Sequence, residues 1–325
     1  MRFYAAPMEG VTGYLYRRAH HESFPGTDRY FIPFIAPKKT GHFTNRELRD
    51  IAPELNRGVP AVPQVLTNDA EAFLYTAELL EELGYGEVNL NLGCPSPTVV
   101  TKHKGAGFLE DPERLDRFFK AVFSRARAPV SVKTRIGLSS YEEAEALLAV
   151  YNRYPIAELI VHPRLGKDGY RGPLSLEIFG EWLGKSRNPV IYNGDIFRKS
   201  EYNALMERFP GIAGVMLGRG LQSNPALIRE LQGGGPLTKK ELVDFTHKLS
   251  GIYAGYFEGE KTLLYKLKEM WFYESRMFKG HEPYLKKIQK ASSLGELRIT
   301  EAALFRELEL DPAGGYQPEH GGKMP

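Results

Sequence analysis

Eight short β-rich runs alternate with helical stretches along the first two thirds of the chain, and that alternation admits few folds. The runs span residues 3–8, 30–36, 61–66, 87–94, 130–136, 158–164, 190–196 and 214–220. Strands joined through helices lie parallel, since a tight hairpin cannot link them, and eight such units are the number that closes a (β/α)8 TIM barrel. Residues 129–136 and 158–161 are nearly continuous in apolar and β-branched side chains, as parallel strands covered on both faces require. Helix punctuation falls where the barrel needs it. Asn68-Asp69 caps a periodic stretch that runs to Leu83 and stops at Gly84, Asp111-Pro112-Glu113 opens the next, and 141–154 and 199–208 read the same way. A doubly wound α/β sheet is the rival, yet Ala6-Pro7-Met8-Glu9-Gly10 after the first run is not the Gly-x-Gly-x-x-Gly that such a fold places there.

Gly233-Gly234-Gly235-Pro236 marks a boundary, beyond which the strand signals stop. Residues 1–232 are expected to form the barrel. Residues 237–310 are expected to form a small all-helical domain with helices near 238–257, 260–272, 283–291 and 299–309. The Gly- and Pro-rich tail, 311–325, holds few apolar residues and is expected to be flexible. With 42% apolar residues the chain buries a large core, and a net charge of only +3 means that a polyanionic partner must be met by a local patch. Apolar runs fall well short of the roughly 20 residues a membrane span needs, and a single cysteine, Cys94, excludes an internal disulfide, so a cytoplasmic protein, by default a monomer, is expected.

Barrels place their chemistry at the C-terminal ends of the strands. Those ends read Pro7-Met8-Glu9, Pro37-Lys38, Gln64, Asn91 to Cys94, Lys133 to Arg135, His162 to Arg164, Asn193-Gly194-Asp195 and Gly218-Arg219-Gly220. Each taken singly is equally well a turn former or a surface side chain. Gln64, Asn91, Lys133 and His162 nevertheless all interrupt otherwise apolar strands. Lys133 and Arg135, at alternate positions of a buried strand, imply an anion in the barrel mouth. The glycines at 194 and 218, with the helix start at Gln222-Ser223-Asn224-Pro225, suggest a phosphate pocket of the kind barrels build after their last strands. Cys94 has two readings, a small buried hydrophobe or a working thiol, and the Gly93-Cys94-Pro95 turn favours the second.

Taken together, Ala6-Pro7-Met8-Glu9-Gly10-Val11-Thr12, Gln64, Asn91-Leu92-Gly93-Cys94-Pro95-Ser96, the Lys133-x-Arg135 pair, Val161-His162-Pro163-Arg164, Tyr192-Asn193-Gly194-Asp195-Ile196 and Met216-Leu217-Gly218-Arg219-Gly220 resemble the tRNA-dihydrouridine synthases. The resemblance covers the barrel and extends to the helical segment, which in that family binds RNA. It implies FMN at the barrel mouth, with Pro7, Met8 and Glu9 along the isoalloxazine and Gln64 and Lys133 at its polar edge. His162, Asn193, Gly194, Asp195, Gly218 and Arg219 would hold ribityl and phosphate, and Asn91 and Arg164 would face the uracil. The reaction implied is reduction of a tRNA uridine to 5,6-dihydrouridine with NADPH as transient reductant and Cys94 as the acid that protonates carbon 5. No metal is implied. His103 stands where that family commonly carries a small residue, often glycine, and has two readings, a contact to RNA or a solvated loop position, of which the second is favoured.

Between Lys261 and Lys290 eight cations face three glutamates, a local excess of five positive charges that includes Lys286, Lys287 and Lys290 and suits a tRNA backbone. Tyr265, Trp271, Tyr273 and Tyr284 are interleaved with them; at helical spacing most are expected to pack in the core. Two other readings stay open: an FMN barrel acting on a free pyrimidine, which has no use for a basic helical appendage, and a non-catalytic RNA-binding protein, for which a charged barrel mouth is costly.

Overall fold

The computed structural model describes residues 1–37 and 43–317. Its strands are β1 (Arg2–Ala5), β2 (Arg29–Phe31), β3 (Ala61–Val62), β4 (Gln64–Val65), β5 (Val88–Leu92), β6 (Val130–Gly137), β7 (Leu159–Leu165), β8 (Val190–Tyr192) and β9 (Gly214–Leu217). They form one sheet in the order β3-β2-β1-β9-β8-β7-β6-β5-β4, with parallel pairing. The two ends of that order are the halves of one run, split by Pro63, which has no N–H to give a ladder. Residues 60–63 bond β2 on one side, through Ile32 N–H to Val62 O (2.8 Å), and β5 on the other, through Asn89 N–H to Pro63 O (2.9 Å). The sheet therefore closes on itself as the expected eight-position barrel.

Helices α1 (Tyr14–Ser23), α2 (Asn45–Ile51), α3 (Ala70–Glu82), α4 (Pro97–Val100), α5 (Pro112–Phe123), α6 (Glu143–Tyr151), α7 (Leu176–Lys185), α8 (Lys199–Arg208), α9 (Arg219–Ser223) and α10 (Leu227–Leu231) follow the strands. Asp69 caps α3 by accepting from Ala72 N–H, Asp111 caps α5 through Arg114 N–H, and Gly84 ends the α3 segment at φ +91°. Beyond the glycine run come α11 (Lys239–Tyr256), α12 (Glu260–Glu274), α13 (Glu282–Lys290) and α14 (Leu294–Glu307). The last begins five residues before the expected start because Ser293 caps it, accepting from Glu296 N–H.

Period-2 alternation decides what the barrel holds. The register pairs Asn89 with Ser131 and Asn91 with Lys133, and their apolar neighbours Leu90, Val132 and Leu92 are fully buried on the other face. One side of the interior is apolar, with Tyr4, Ala6, Phe31, Val62, Ile160, Ile191 and Met216 in one cluster. The N-terminal end is closed by ions: Glu158 accepts from Tyr4 Oη (2.8 Å), pairs with Arg2 and Arg29, and Arg29 also reaches Glu87 (2.7 Å). Its charges are spent on each other.

The chain divides into two compact units, Met1–Gly10 with Asp28–Gly194 and Met206–Met216, and Val11–Thr27 with Asp195–Leu205 and Leu217–Pro325. This differs from a division at the glycine run. In the second unit Tyr16, Ala19 and Phe24 of the α1 segment share one core with Phe245, Leu249, Trp271 and Ile288, which draws α1 into the helical unit. The tail departs from expectation as far as Gln317. Tyr316 is buried, donating its N–H to Ser223 Oγ (3.0 Å) and packing on Phe197 and on the guanidinium of Arg276. Lys38 and residues 318–325 lie outside the described residues.

Candidate active site

In the first unit, β4 to β7 carry the expected polar side chains to one region of the barrel mouth. Lys133 is half-buried on β6, and among the described residues its side chain makes no hydrogen bond or ion pair. Its neighbours explain why this is costly: burial and the adjacent Arg135 charge pull the ammonium down to about 7. A cation so placed asks for an anion or a hydrogen-bond acceptor from outside the chain. Arg135 asks for nothing, in contrast to the anion-binding role expected for it. Its Nε donates to Gly93 O (2.8 Å), a terminal nitrogen donates to Leu165 O (2.8 Å), and the guanidinium lies over the Tyr170 ring at 5.4 Å.

Cys94 stands half-buried on the turn after β5. The turn is built by Asn91, whose Oδ1 accepts both Gly93 N–H (3.0 Å) and Cys94 N–H (2.9 Å). Burial pushes the thiol above its ordinary pKa, with a push from Glu9, against a Ser96 backbone hydrogen bond and the charges of Arg135 and Lys133. It is a neutral thiol at neutral pH, suited to give a proton and ill suited to attack as thiolate. Gly105, at φ +54°, packs on this turn so closely that a Cβ there would lie 2.8 Å from Cys94 O.

Gln64 is enclosed and already bonded at both ends, to Asn89 (2.7 Å) and Asn91 (2.7 Å). Asn91 likewise spends its carboxamide on Gln64 and the turn, although it was expected to face a uracil. Pro7 and Met8 are half-buried at the end of β1, and Glu9 is exposed and paired with Arg46 (3.0 Å). His162 is 7% exposed and its Nε2 lies 3.1 Å from an Arg164 nitrogen. Arg164, expected to face the substrate, is instead buried, with Nε donating to Gly172 O (2.5 Å), so it ties down the loop after β7. Asn193 donates to Met216 O (2.8 Å). Gly194 is required by Tyr192, whose hydroxyl oxygen would lie 2.7 Å from a Cβ at that position.

Asp195, Gly218 and Arg219 belong to the second unit. Arg219 is paired with Asp195 (2.7 Å) and lies over the rings of Phe197 and Tyr316. The same unit carries the basic segment. Lys286, Lys287 and Lys290 are exposed on α13, whereas Arg276 is buried and bonded to Phe272 O, and Lys266 is paired with Glu269. Trp271 and Tyr273 are core residues, and Tyr265 is 62% exposed.

Sequence reasoning missed Asn89 and Ser131. Their alternation with Asn91 and Lys133 marks them as inward-facing, but only the cross-strand register brings them to Gln64.

The family model for dihydrouridine synthase (Dus) matches residues 4–298. The chain belongs to the dihydrouridine synthase family. The tRNA-dihydrouridine(16) synthase of Shigella flexneri is 33% identical over 73% of this chain and 77% of its own length. That of Neisseria meningitidis serogroup B is 27% identical over 94% of this chain and 96% of its own. A solved structure of morphinone reductase in complex with tetrahydroNAD superposes with a TM-score of 0.51 at 12% identity, covering 73% of this chain and 88% of that one, which confirms the barrel. As a dihydrouridine synthase family member the chain is an oxidoreductase, and no described helix is long and apolar enough to cross a membrane.

Proposed function

We propose that this enzyme reduces uridine 16 of tRNA to 5,6-dihydrouridine in the cytoplasm, with FMN bound at the barrel mouth and NADPH as its reductant. The observation that carries the reading is the pairing of an unpartnered, half-buried Lys133 with a neutral Cys94 thiol held on a braced turn in the same unit. Lys133 suits the electron-rich N1–O2 edge of a flavin, with Pro7, Met8 and Glu9 as the neighbouring β1 segment, and His162 and Asn193-Gly194 at the ends of β7 and β8. When bound, FMN supplies the hydride that reaches uracil carbon 6.

The chain's own residues supply the rest. Lys133 holds positive charge where the bound group is negative. Cys94 Sγ gives its proton to carbon 5, which balances the hydride added at carbon 6, and solvent reprotonates the sulfur. Burial keeps that proton on the thiol until the substrate needs it. The base must leave the tRNA fold to reach the mouth, so the polynucleotide is held by shape and phosphate, for which Lys286, Lys287 and Lys290 on α13 are the exposed cations. Position 16 follows the names of the relatives.

Incubation of the protein with FMN, NADPH and unmodified tRNA tests the reading. Dihydrouridine appearing at position 16, mapped by reverse-transcription stops, supports it; reduction only at another uridine removes the positional assignment, and reduction of free uridine but not tRNA removes the substrate.

A further inference from the structure

We infer that Gln64 and Asn91 are positioning residues for Cys94, acting through a chain of side-chain amides that starts at Ser131 and ends on the Cys94 turn. The inference rests on Cys94 as the proton donor. Two backbone donors set its direction. Gly93 N–H and Cys94 N–H both point at Asn91, and only a carboxamide oxygen accepts, so Asn91 Oδ1 faces the turn and Nδ2 faces Gln64. Asn91 Nδ2 then donates to Gln64 Oε1 (2.7 Å), Gln64 Nε2 to Asn89 Oδ1 (2.7 Å), and Asn89 Nδ2 to Ser131 Oγ (2.8 Å).

Ser131 and Asn89 are fully buried, and Gln64 and Asn91 are 1% and 7% exposed. Flipping one amide would set donor against donor and oxygen against oxygen, so the whole chain has one favourable orientation. The turn is held from its other side as well. Arg135 Nε donates to Gly93 O and Ala106 N–H to Cys94 O (3.0 Å). The Cys94 peptide is thus fixed at its N–H and its carbonyl, and the hydrogen bonds from Gln64 to the turn run through Asn91.

Cys94 is the sole cysteine, so iodoacetamide labelling read by intact mass reports on it alone. Full-length protein, with and without FMN, is labelled across pH 6–10 at the wild type, Gln64→Met, Asn91→Ala and the double variant. Releasing the turn exposes the thiol: Asn91→Ala removes both of the side chain's hydrogen bonds to the turn and is expected to speed labelling by at least about three- to tenfold, the worth of a single net hydrogen bond, and to lower the midpoint. Gln64→Met is expected to move both in the same direction, and the double variant to match Asn91→Ala alone, since one residue acts through the other. Ser131→Ala, which removes only the far end of the chain and adds no charge, is expected to move labelling in the same direction by a smaller factor, and it supplies the test if Gln64→Met proves unstable.

In tRNA reduction the same variants should lose kcat with little change in KM or in flavin reduction by NADPH. A wild-type labelling profile for Gln64→Met, or effects that multiply in the double variant, would overturn the inference. Labelling does not depend on the reaction. If Cys94 proves not to be the acid, tRNA reduction will cease to follow labelling, while the labelling result itself stands.

Discussion

Lys133 offers a pH dependence with a definite sign. Without a ligand its ammonium is pulled down to about 7 by burial and by Arg135, so at pH 8 most of the population is neutral. A bound flavin edge or other anionic partner favours the charged form and raises that pKa. Binding then takes up a proton whenever the solution lies above pH 7, and affinity falls as pH rises, by up to about tenfold per unit, until the pKa of the complex is reached. Below pH 7 the lysine is already charged and the affinity is level with respect to this group. Lys133→Met removes the charge. It should weaken FMN about 10- to 100-fold at pH 6.5, the range of a charge-assisted hydrogen bond, and much less at pH 9. Flavin fluorescence titration of FMN-stripped protein between pH 6 and 9.5 measures both curves, and the difference between them cancels the titration of FMN itself. Parallel curves for wild type and Lys133→Met would refute the assignment of Lys133 to the flavin.

Two further outcomes concern the second unit. His20 is fully buried with Nε2 2.9 Å from Pro225 O, and burial lowers it to about 4. The unfolded chain binds a proton near 6.5, so stability is full above that pH and is lost as pH falls from 6.5 toward 4, by at most about 3 kcal/mol; urea titrations should show this slope in the wild type and a shallower one in His20→Gln. Neutralising Lys286, Lys287 and Lys290 to alanine should raise the tRNA dissociation constant and make the plot of log K against log salt shallower by about two, whereas an unchanged slope would move the phosphate contacts off α13.

The barrel was legible because its cues are local. Alternating β runs, the Asp69 and Asp111 caps and Gly84 each act within a few residues, and each stands where the sequence put it. Side-chain roles at the mouth were legible by type and not by partner. Lys133 and Arg135 look alike in sequence as alternate cations, but the turn after β5 and the end of β7 bring carbonyls of Gly93 and Leu165 to the Arg135 side chain, and that convergence is not encoded in period 2. Gln64 and Asn91 were placed against ligands for the same reason: their mutual contact depends on register between β4 and β5 and on the break at Pro63. His103 is a case where structure explains a sequence oddity. It has φ +50°, the one non-glycine residue with positive φ among those described, which is a backbone where glycine is at ease and histidine is strained. The tail misled through composition. A Gly- and Pro-rich stretch lacks a core of its own, yet one aromatic, Tyr316, fits among Phe197, Tyr273 and the Arg219 and Arg276 guanidinia and anchors it.

The account turns on Cys94 as the acid, and Cys94→Ala tests that most directly. The variant is predicted to keep its FMN and to oxidise NADPH at the wild-type rate, while dihydrouridine formed at position 16 of unmodified tRNA in a single turnover falls by about 100-fold or more, the usual worth of a general acid. A Cys94→Ala enzyme that retains FMN and reduces tRNA at an undiminished rate would contradict it.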